Sequence, residues 1–177
     1  MAKALVRREL IHDSPPEAIL ESIHQVLRNT IKPRRMMTCC LGLLDPLTRK
    51  VAFTNAGHPF PFLFPKIFPP RLLDLTSSPL GVSKKTQFAT ETITLEPGER
   101  IILLTEGVIE ALGSEGPLGM DSVKKIVSQI PFFPPEKTWE LFMAWHRNQV
   151  LSQTKEDDIT AVFIHCNEEH ARPPTLS

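Results

Sequence analysis

The segment that decides the fold is Arg100-Ile101-Ile102-Leu103-Leu104-Thr105-Glu106-Gly107, in which four consecutive apolar residues precede an acidic residue and a glycine. A continuous apolar run of this length is typical of a strand that is buried on both faces. The preceding Glu96-Pro97-Gly98-Glu99 has proline second and glycine third, the pattern of a type II turn. We therefore predict a buried strand over residues 100–105, with Glu106 at its end.

Further strands are predicted on both sides of this one. Residues 36–44 form an apolar run that ends at Asp45-Pro46, and residues 50–55 alternate in polarity, so 41–54 is predicted to be a β-hairpin. Residues 60–64 form a third short strand, whose flanking prolines favour the edge of a sheet. Residues 87–95 and 159–166 are predicted to be the remaining strands.

Helices are predicted at both ends of this run of strands. The first spans residues 1–12 and begins without an N-cap. The second has Ser14 as its N-cap and Pro15 at its first helical position. Its apolar stripe runs to about Thr30 and contains Ile19, Leu20, Ile23 and Leu27. Two more are predicted over 121–130 and 135–151, and this segregated order favours an α+β fold with helices packed over a sheet.

Composition excludes several classes of protein. Lys+Arg and Asp+Glu balance at 20 each, so the basic footprint of a nucleic-acid-binding protein is missing. Three cysteines, two of them adjacent, indicate neither a disulfide framework nor a Cys-x-x-Cys zinc site. The sequence has no signal peptide and no apolar stretch long enough to span a membrane. We therefore expect a cytoplasmic protein.

Two acidic segments lie at strand ends, where carboxylates converge on a cation in many proteins. Glu106-Gly107 follows the buried strand at 100–105, and Asp157-Asp158 precedes the last strand. Mg²⁺ and Mn²⁺ prefer oxygen ligands, and Gly107 permits close backbone approach. From these residues alone, an ordinary exposed turn and a solvated charged loop are the favoured explanations of the two segments. Asn55-Ala56-Gly57-His58-Pro59 marks a sharp turn, in which Asn55 is expected to bond backbone.

Taken together and in order, five segments resemble the SpoIIE-like branch of the metal-dependent (PPM, type-2C-like) protein serine/threonine phosphatases, over about residues 1–166. They are Thr54-Asn55-Ala56-Gly57-His58-Pro59, Pro79-Leu80-Gly81-Val82, Leu95-Glu96-Pro97-Gly98-Glu99-Arg100, Leu104-Thr105-Glu106-Gly107-Val108-Ile109-Glu110-Ala111 and Glu156-Asp157-Asp158-Ile159-Thr160. The resemblance implies a four-layer α-β-β-α sandwich of antiparallel sheets flanked by helices. It also implies hydrolysis of phosphoserine or phosphothreonine on a regulatory partner protein, such as an anti-sigma-factor antagonist.

The family's site carries two Mn²⁺ or Mg²⁺ ions bridged by aspartates, and a metal-bound water is the nucleophile, so the resemblance names no catalytic side chain here. It assigns Glu106, Asp157 and Gly107 to the metal. His58 is assigned weakly to substrate binding. Asn55, Thr105 and Asp158 are supporting residues.

Two departures from the family pattern shape our expectations. The Gly-Gly-Asp and Asp-x-x-Gly-His-Gly segments of the family do not occur in these 177 residues, and Glu106 stands where the family has aspartate. We therefore expect an N-terminally truncated, C-terminal part of the domain over 1–166, with a disordered tail over 167–177. One weak metal site remains, and an exposed sheet edge favours self-association.

Two functional hypotheses stay open at this point. In the first, the full protein is a working phosphatase, with an upstream sensor domain. In the second, the chain is a catalytically dead pseudophosphatase that acts as a protein-binding regulatory module. The glutamate at position 106 favours the second hypothesis, and the uncapped first helix favours the first.

Overall fold

A computed structural model describes residues 2–30, 36–67, 69–83, 86–114, 116–130, 133–150 and 158–167. Within these residues the chain forms five helices and nine strands. In chain order they are α1 (Ala2–Ile11), α2 (Pro16–Thr30), β1 (Cys39–Asp45), β2 (Lys50–Ala56), β3 (Phe62–Phe64), β4 (Arg71–Leu72), β5 (Glu91–Thr94), β6 (Arg100–Leu104), α3 (Glu106–Ile109), β7 (Leu112–Gly113), β8 (Gly116–Pro117), α4 (Gly119–Gln129), α5 (Pro135–Gln149) and β9 (Ala161–His165).

The chain divides into two compact units, of which the first comprises Met1–Phe60 and Asp74–Thr94. Its sheet has the order β1-β2-β5, and both pairs of strands are antiparallel. Helix α2 covers one face of this sheet with its apolar stripe. The resulting core contains Ile19, Leu20, Ile23, Leu27, Ala56 and Leu80. The predicted hairpin and the stripe of α2 are thus confirmed.

The second unit comprises Pro61–Leu73 and Leu95–Ser177. Its sheet has the order β4-β3-β6-β9, again antiparallel throughout. Alternate residues of β3 and β6 pack against α3, α4 and α5. Its buried core contains Phe62, Phe64, Ile102, Leu104, Val108, Val123, Val127, Ile130 and Phe142. The predicted buried strand after the 96–99 turn is therefore confirmed, and Gly98 has the positive φ (86°) that such a turn requires.

The predicted edge position of the 60–64 strand is wrong. Strand β3 lies between β4 and β6, and the two-residue strand β4 occupies the edge. Pro61 and Pro65 bracket β3 instead of interrupting it, so no ladder hydrogen bond needs a proline N–H. The Pro61 carbonyl in fact accepts the Leu73 N–H at 2.8 Å.

The predicted start of the second helix is also wrong, by one residue. Helix α2 begins at Pro16, and the Pro15 carbonyl accepts the N–H groups of Ala18 and Ile19 at 3.0 and 3.2 Å. The Ser14 hydroxyl does not cap the helix. It donates to the Glu9 carboxylate at 2.9 Å, which ties α2 to the end of α1.

Other predictions are confirmed only in part. The α+β class with antiparallel sheets is confirmed. The strand predicted over 87–95 is shorter in the structure, at Glu91–Thr94, and the sequence did not predict α3, β7 or β8. The tail prediction for 168–177 concerns residues outside the described part of the chain. In the described residues, no helix is long and apolar enough to cross a membrane.

Candidate functional site

The end of β6 is joined to the segment before β9 by the side chain of Thr105. The register of the two strands ends at Leu104↔Ala161. Beyond it, the Thr105 N–H donates to the Thr160 carbonyl at 3.0 Å, and the Thr105 hydroxyl accepts the Thr160 N–H at 2.9 Å. The same hydroxyl donates to the Asp158 carbonyl at 3.2 Å. Thr105 therefore fixes the chain at 158–160 beside the first residue of α3.

Glu106 is that first residue, and its main chain is held by the short helix. The Glu110 N–H donates to the Glu106 carbonyl at 2.8 Å, and the following Gly107 is buried. The Glu106 residue itself is half-buried. The structure thus brings Thr105 and the main chain of Asp158 together beside Glu106 at one edge of the second unit's sheet. The convergence of the two carboxylates on a cation stays a prediction.

The donor set of this edge is incomplete for a pair of metal ions. Asp157, which the sequence assigns to the same ion as Glu106, lies outside the described residues. Asp158 is exposed, and its main chain is the part that Thr105 binds. Among the described residues, no group of three or more His, Cys, Asp or Glu side chains is placed to hold a metal ion. The described residues therefore fit one side of a cation site and not a complete two-ion centre.

The predicted turn at residues 55–59 belongs to the first unit. Asn55 is 1% exposed, and its side-chain oxygen accepts the His58 N–H while its side-chain amide donates to the His58 carbonyl, both at 2.9 Å. Gly57 has φ +73°, and a Cβ added there would lie 2.6 Å from Cγ of Pro79. Asn55 thus bonds backbone as predicted, and the turn packs against the Pro79-Leu80-Gly81-Val82 segment.

His24 and Arg100 are among the buried polar residues that sequence reasoning did not single out. His24 lies in the stripe of α2, is 2% exposed and bonds the Gly81–Ser83 backbone. Its signal is its spacing, four residues after Leu20 and three before Leu27, at a position where the other stripe residues are apolar.

Arg100 is another buried polar residue that the sequence did not single out. It is 5% exposed, its guanidinium donates to the Ile130 carbonyl at 2.9 Å, and it lies 5.0 Å from the centroid of the Phe64 ring. Burial lowers the pKa of this guanidinium. Arg100 therefore ties β6 to the end of α4, whose last carbonyls need such a donor.

Several known proteins are similar to this chain in sequence or in fold. Phosphoserine phosphatase RsbP of Bacillus subtilis (strain 168) is 23% identical over 114 residues, which are 62% of this chain and 28% of RsbP. The SiaA-PP2C domain of Pseudomonas aeruginosa has a TM-score of 0.79 at 20% identity, over 93% of this chain and 66% of that one. The chain therefore spans only part of the length of these relatives.

A second solved structure, the phosphatase domain of the cell fate determinant SpoIIE from Bacillus subtilis, has a TM-score of 0.67 at 16% identity, over 98% of this chain and 76% of that one. These similarities show the α+β fold of PP2C-like phosphatases. The sequence pattern described as Stage II sporulation protein E (SpoIIE) matches residues 1–167. Because that match covers nearly the whole chain, the chain belongs to the SpoIIE family, and a phosphatase domain of this family covers most of it.

Proposed function

We propose that the chain is part of a metal-dependent protein serine/threonine phosphatase, which removes phosphate from a phosphoserine or phosphothreonine of a regulatory partner protein. The observation that carries this proposal is the hydrogen-bonded junction at Thr105, because it holds Glu106 beside the segment that leads from Asp157 into β9. Mg²⁺ is bound in many proteins by one or two carboxylates together with waters and substrate phosphates, so Glu106 and Asp157 are a sufficient carboxylate set for one ion in this proposal.

In this proposal the chain's own residues bind the cation and the substrate, and they hold the binding residues in position. Glu106 and Asp157 hold a cation, and Gly107 leaves room for it. Thr105 bonds the main chain at Asp158 and Thr160, which holds the residues that follow Asp157 in the sequence beside Glu106. His58 contacts the phosphorylated substrate, and Asn55 holds His58 in place. Bound Mn²⁺ or Mg²⁺ supplies the charge that polarises the phosphate and activates water.

Similar structures support these metals. One is RsbX in complex with magnesium, and another is the SpoIIE phosphatase domain from a crystal presoaked with manganese. Glu106 is one methylene, about 1.5 Å, longer than the family's aspartate. Mg²⁺ demands near-ideal octahedral distances, so the longer side chain favours Mn²⁺ here.

The complete two-ion site of the proposal needs carboxylates that the 177 residues do not contain, since the family's two aspartate-bearing segments are missing from this sequence. We therefore propose that the chain alone does not turn over, and that the missing strands complete the site and the four-layer sandwich in a longer protein. An upstream sensor domain, a phosphorylated anti-sigma-factor antagonist as substrate, and a cytoplasmic location belong to the same proposal. A similar structure in which RsbU and RsbW domains occur in one Mycobacterium tuberculosis protein supports this kind of partner.

The test is Mn²⁺-dependent hydrolysis of p-nitrophenyl phosphate and of a phosphorylated peptide. It compares the chain with a version extended by whatever in-frame sequence precedes the Met1 codon. We expect turnover only in the extended protein, an increase on Glu106→Asp, and a loss on Glu106→Gln. Glu110→Asp, four residues further on at the end of α3, is the matched control and leaves turnover unchanged. An extended protein that contains the missing aspartates and yet shows no turnover with either glutamate or aspartate at position 106 contradicts the enzymatic proposal.

The second candidate is a pseudophosphatase that binds a regulatory partner, and the glutamate at position 106 is the observation that favours it. It predicts binding of the phosphorylated partner by the chain itself, without Mn²⁺ and without turnover. A pull-down with phosphorylated and unphosphorylated partner, with and without chelator, separates the two candidates.

A further inference from the structure

Both ring nitrogens of His24 are occupied by backbone of one loop. The Gly81 N–H donates to Nδ1 at 3.2 Å, and Nε2 lies 3.0 Å from the Ser83 carbonyl oxygen. Because Nδ1 accepts a proton donor, the ring proton is on Nε2, which donates to Ser83. The ring also contacts Phe88 edge-on, with centroids 5.7 Å apart. The bonding pattern therefore defines a single neutral tautomer.

The loop that His24 binds is the last part of segment 77–83, which is attached at its other end to the turn at Asn55. The Ser77 N–H and hydroxyl both donate to the Asn55 carbonyl, at 3.0 and 2.8 Å. Pro79 lies against Gly57, and buried Leu80 exchanges two backbone hydrogen bonds with Met37 at 2.8 and 3.1 Å. Segment 77–83 thus connects helix α2 to the turn that carries His58.

We propose that His24 is a positioning residue, which fixes segment 77–83 and through it the orientation of the Asn55–Pro59 turn that presents His58. The turn is rigid internally, because Asn55 bonds both backbone groups of His58. Its placement as a unit depends on β2, whose Asn55 and Ala56 pair with Cys40 and Cys39 of β1, and on segment 77–83, which contacts the turn at Ser77 and Pro79. Only the predicted effect on turnover rests on the proposed phosphatase function.

Two near-isosteric variants separate the two bonds of His24. In His24→Asn the side-chain oxygen replaces Nδ1 and keeps the bond from Gly81. In His24→Gln the side-chain amide replaces Nε2 and keeps the bond to Ser83. His24→Phe keeps ring packing against Phe88 and removes both bonds. Gly81 is two residues from Pro79, whereas Ser83 is four residues away, so we expect the Gly81 bond to matter more for the turn.

The first readout is amide hydrogen exchange of the full chain, followed at Gly81, Ser77 and His58, with the amides of β6 as the reference for global unfolding. In His24→Gln and His24→Phe we expect exchange at all three positions to rise about tenfold relative to β6, the size of one lost hydrogen bond. His24→Asn should stay within about threefold of the wild type. Faster exchange at Gly81 alone, or an equal rise in β6, overturns the proposal, because either result makes His24 an ordinary buried residue.

The second readout is phosphatase kinetics of the extended protein. We expect KM for the phosphoprotein to rise about tenfold in His24→Phe and His24→Gln with kcat unchanged, because His58 is proposed to contact the substrate, and His24→Asn to retain the wild-type KM. If the wild type turns over and none of the three variants changes its kinetics, the positioning role is overturned and the proposed function stays intact. A wild type that does not turn over contradicts the proposed function instead, and the exchange pattern then decides the role of His24 independently.

Discussion

Thr105 and Thr160 are joined by a reciprocal pair of hydrogen bonds, in which the Thr105 N–H donates to the Thr160 carbonyl and the Thr160 N–H donates to the Thr105 hydroxyl. The pair continues the β6–β9 ladder past its last register pair with a side chain in place of a backbone acceptor. The residue that follows is Glu106, so the main chain of the proposed metal ligand begins at a position that is fixed from both strands.

Replacing Thr105 with valine tests this junction. Valine has nearly the same shape but leaves the Thr160 N–H without its acceptor, so we expect a loss of about 1 kcal/mol in the free energy of unfolding. We also expect weaker Mn²⁺ binding, measured by isothermal titration. Thr105→Ser retains the hydroxyl and serves as the control. Equal stability and equal metal affinity in the two variants contradict the role assigned to the hydroxyl.

Gly57→Ala tests the contact between the turn and Pro79. An added Cβ would lie 2.6 Å from Cγ of Pro79, and φ is +73°. Gly119 has nearly the same φ, +71°, with nothing within 4 Å of an added Cβ, so Gly119→Ala measures the backbone strain alone. We expect about 1–2 kcal/mol for Gly119→Ala and at least about 1 kcal/mol more for Gly57→Ala in urea denaturation.

The double variant Gly57→Ala with Pro79→Ala completes that experiment. Removing Cγ and Cδ of Pro79 should recover the excess cost of Gly57→Ala. A double variant whose cost is simply the sum of the two single changes argues that the two residues do not constrain each other.

Arg100→Met tests the tie between β6 and α4. Methionine fills the volume of the side-chain stem but leaves the Ile130 carbonyl without its donor at 2.9 Å, and it removes the cation from the Phe64 ring. We expect a loss of about 1–3 kcal/mol in unfolding free energy. Arg100→Lys should do no better, because a compact ammonium cannot reproduce the fork of the guanidinium. Wild-type stability in Arg100→Met would show that the desolvation of this charge offsets its bonds.

The stability of the chain should fall at alkaline pH because of Cys40. Burial, with the neighbouring Cys39 second, raises the pKa of the Cys40 thiol from 9.0 to about 12. Between those values the unfolded chain has lost a proton that the folded chain keeps, so rising pH favours unfolding by up to about 1.4 kcal/mol per pH unit. Urea midpoints of wild type and Cys40→Ala, compared across that window, should converge as pH rises. Cys166→Ala is the control for loss of a thiol elsewhere, and parallel curves for Cys40→Ala refute the assignment.

The elements that sequence predicted well are those whose local signals agree. The 96–99 turn has proline and glycine at the two positions that favour a type II turn. The apolar run that follows is therefore predicted to be a buried strand. The β3 strand shows the limit of such signals. The flanking prolines indicate only where a backbone N–H is missing. The position of β3 in the sheet depends on its pairing with residues 71–72 and 100–102, which a local sequence pattern does not reveal.

The candidate site was likewise predicted from the sequence only in part. Strand-end reasoning placed Glu106 and the 157–158 segment at one sheet edge, but it took the resemblance to a phosphatase family to assign them to a metal. The bonds of Thr105 to residues 53 and 55 positions later could not be predicted from spacing, because they depend on the antiparallel pairing of β6 with β9. His24 and Arg100 were missed because their partners are backbone groups, which leave no mark in the sequence.

The division of the chain into two units has a genetic consequence. The first unit is built from residues 1–60 and 74–94 and the second from 61–73 and the remainder, so the backbone passes from one to the other three times. No single break in the coding sequence can release either unit intact. A fusion or deletion that ends between residues 73 and 95 would carry β3 and β4 without β6, the strand against which β3 pairs. A gene rearrangement that keeps the first unit whole must therefore also carry residues 61–73, and one that keeps the second unit whole must also carry residues 74–94.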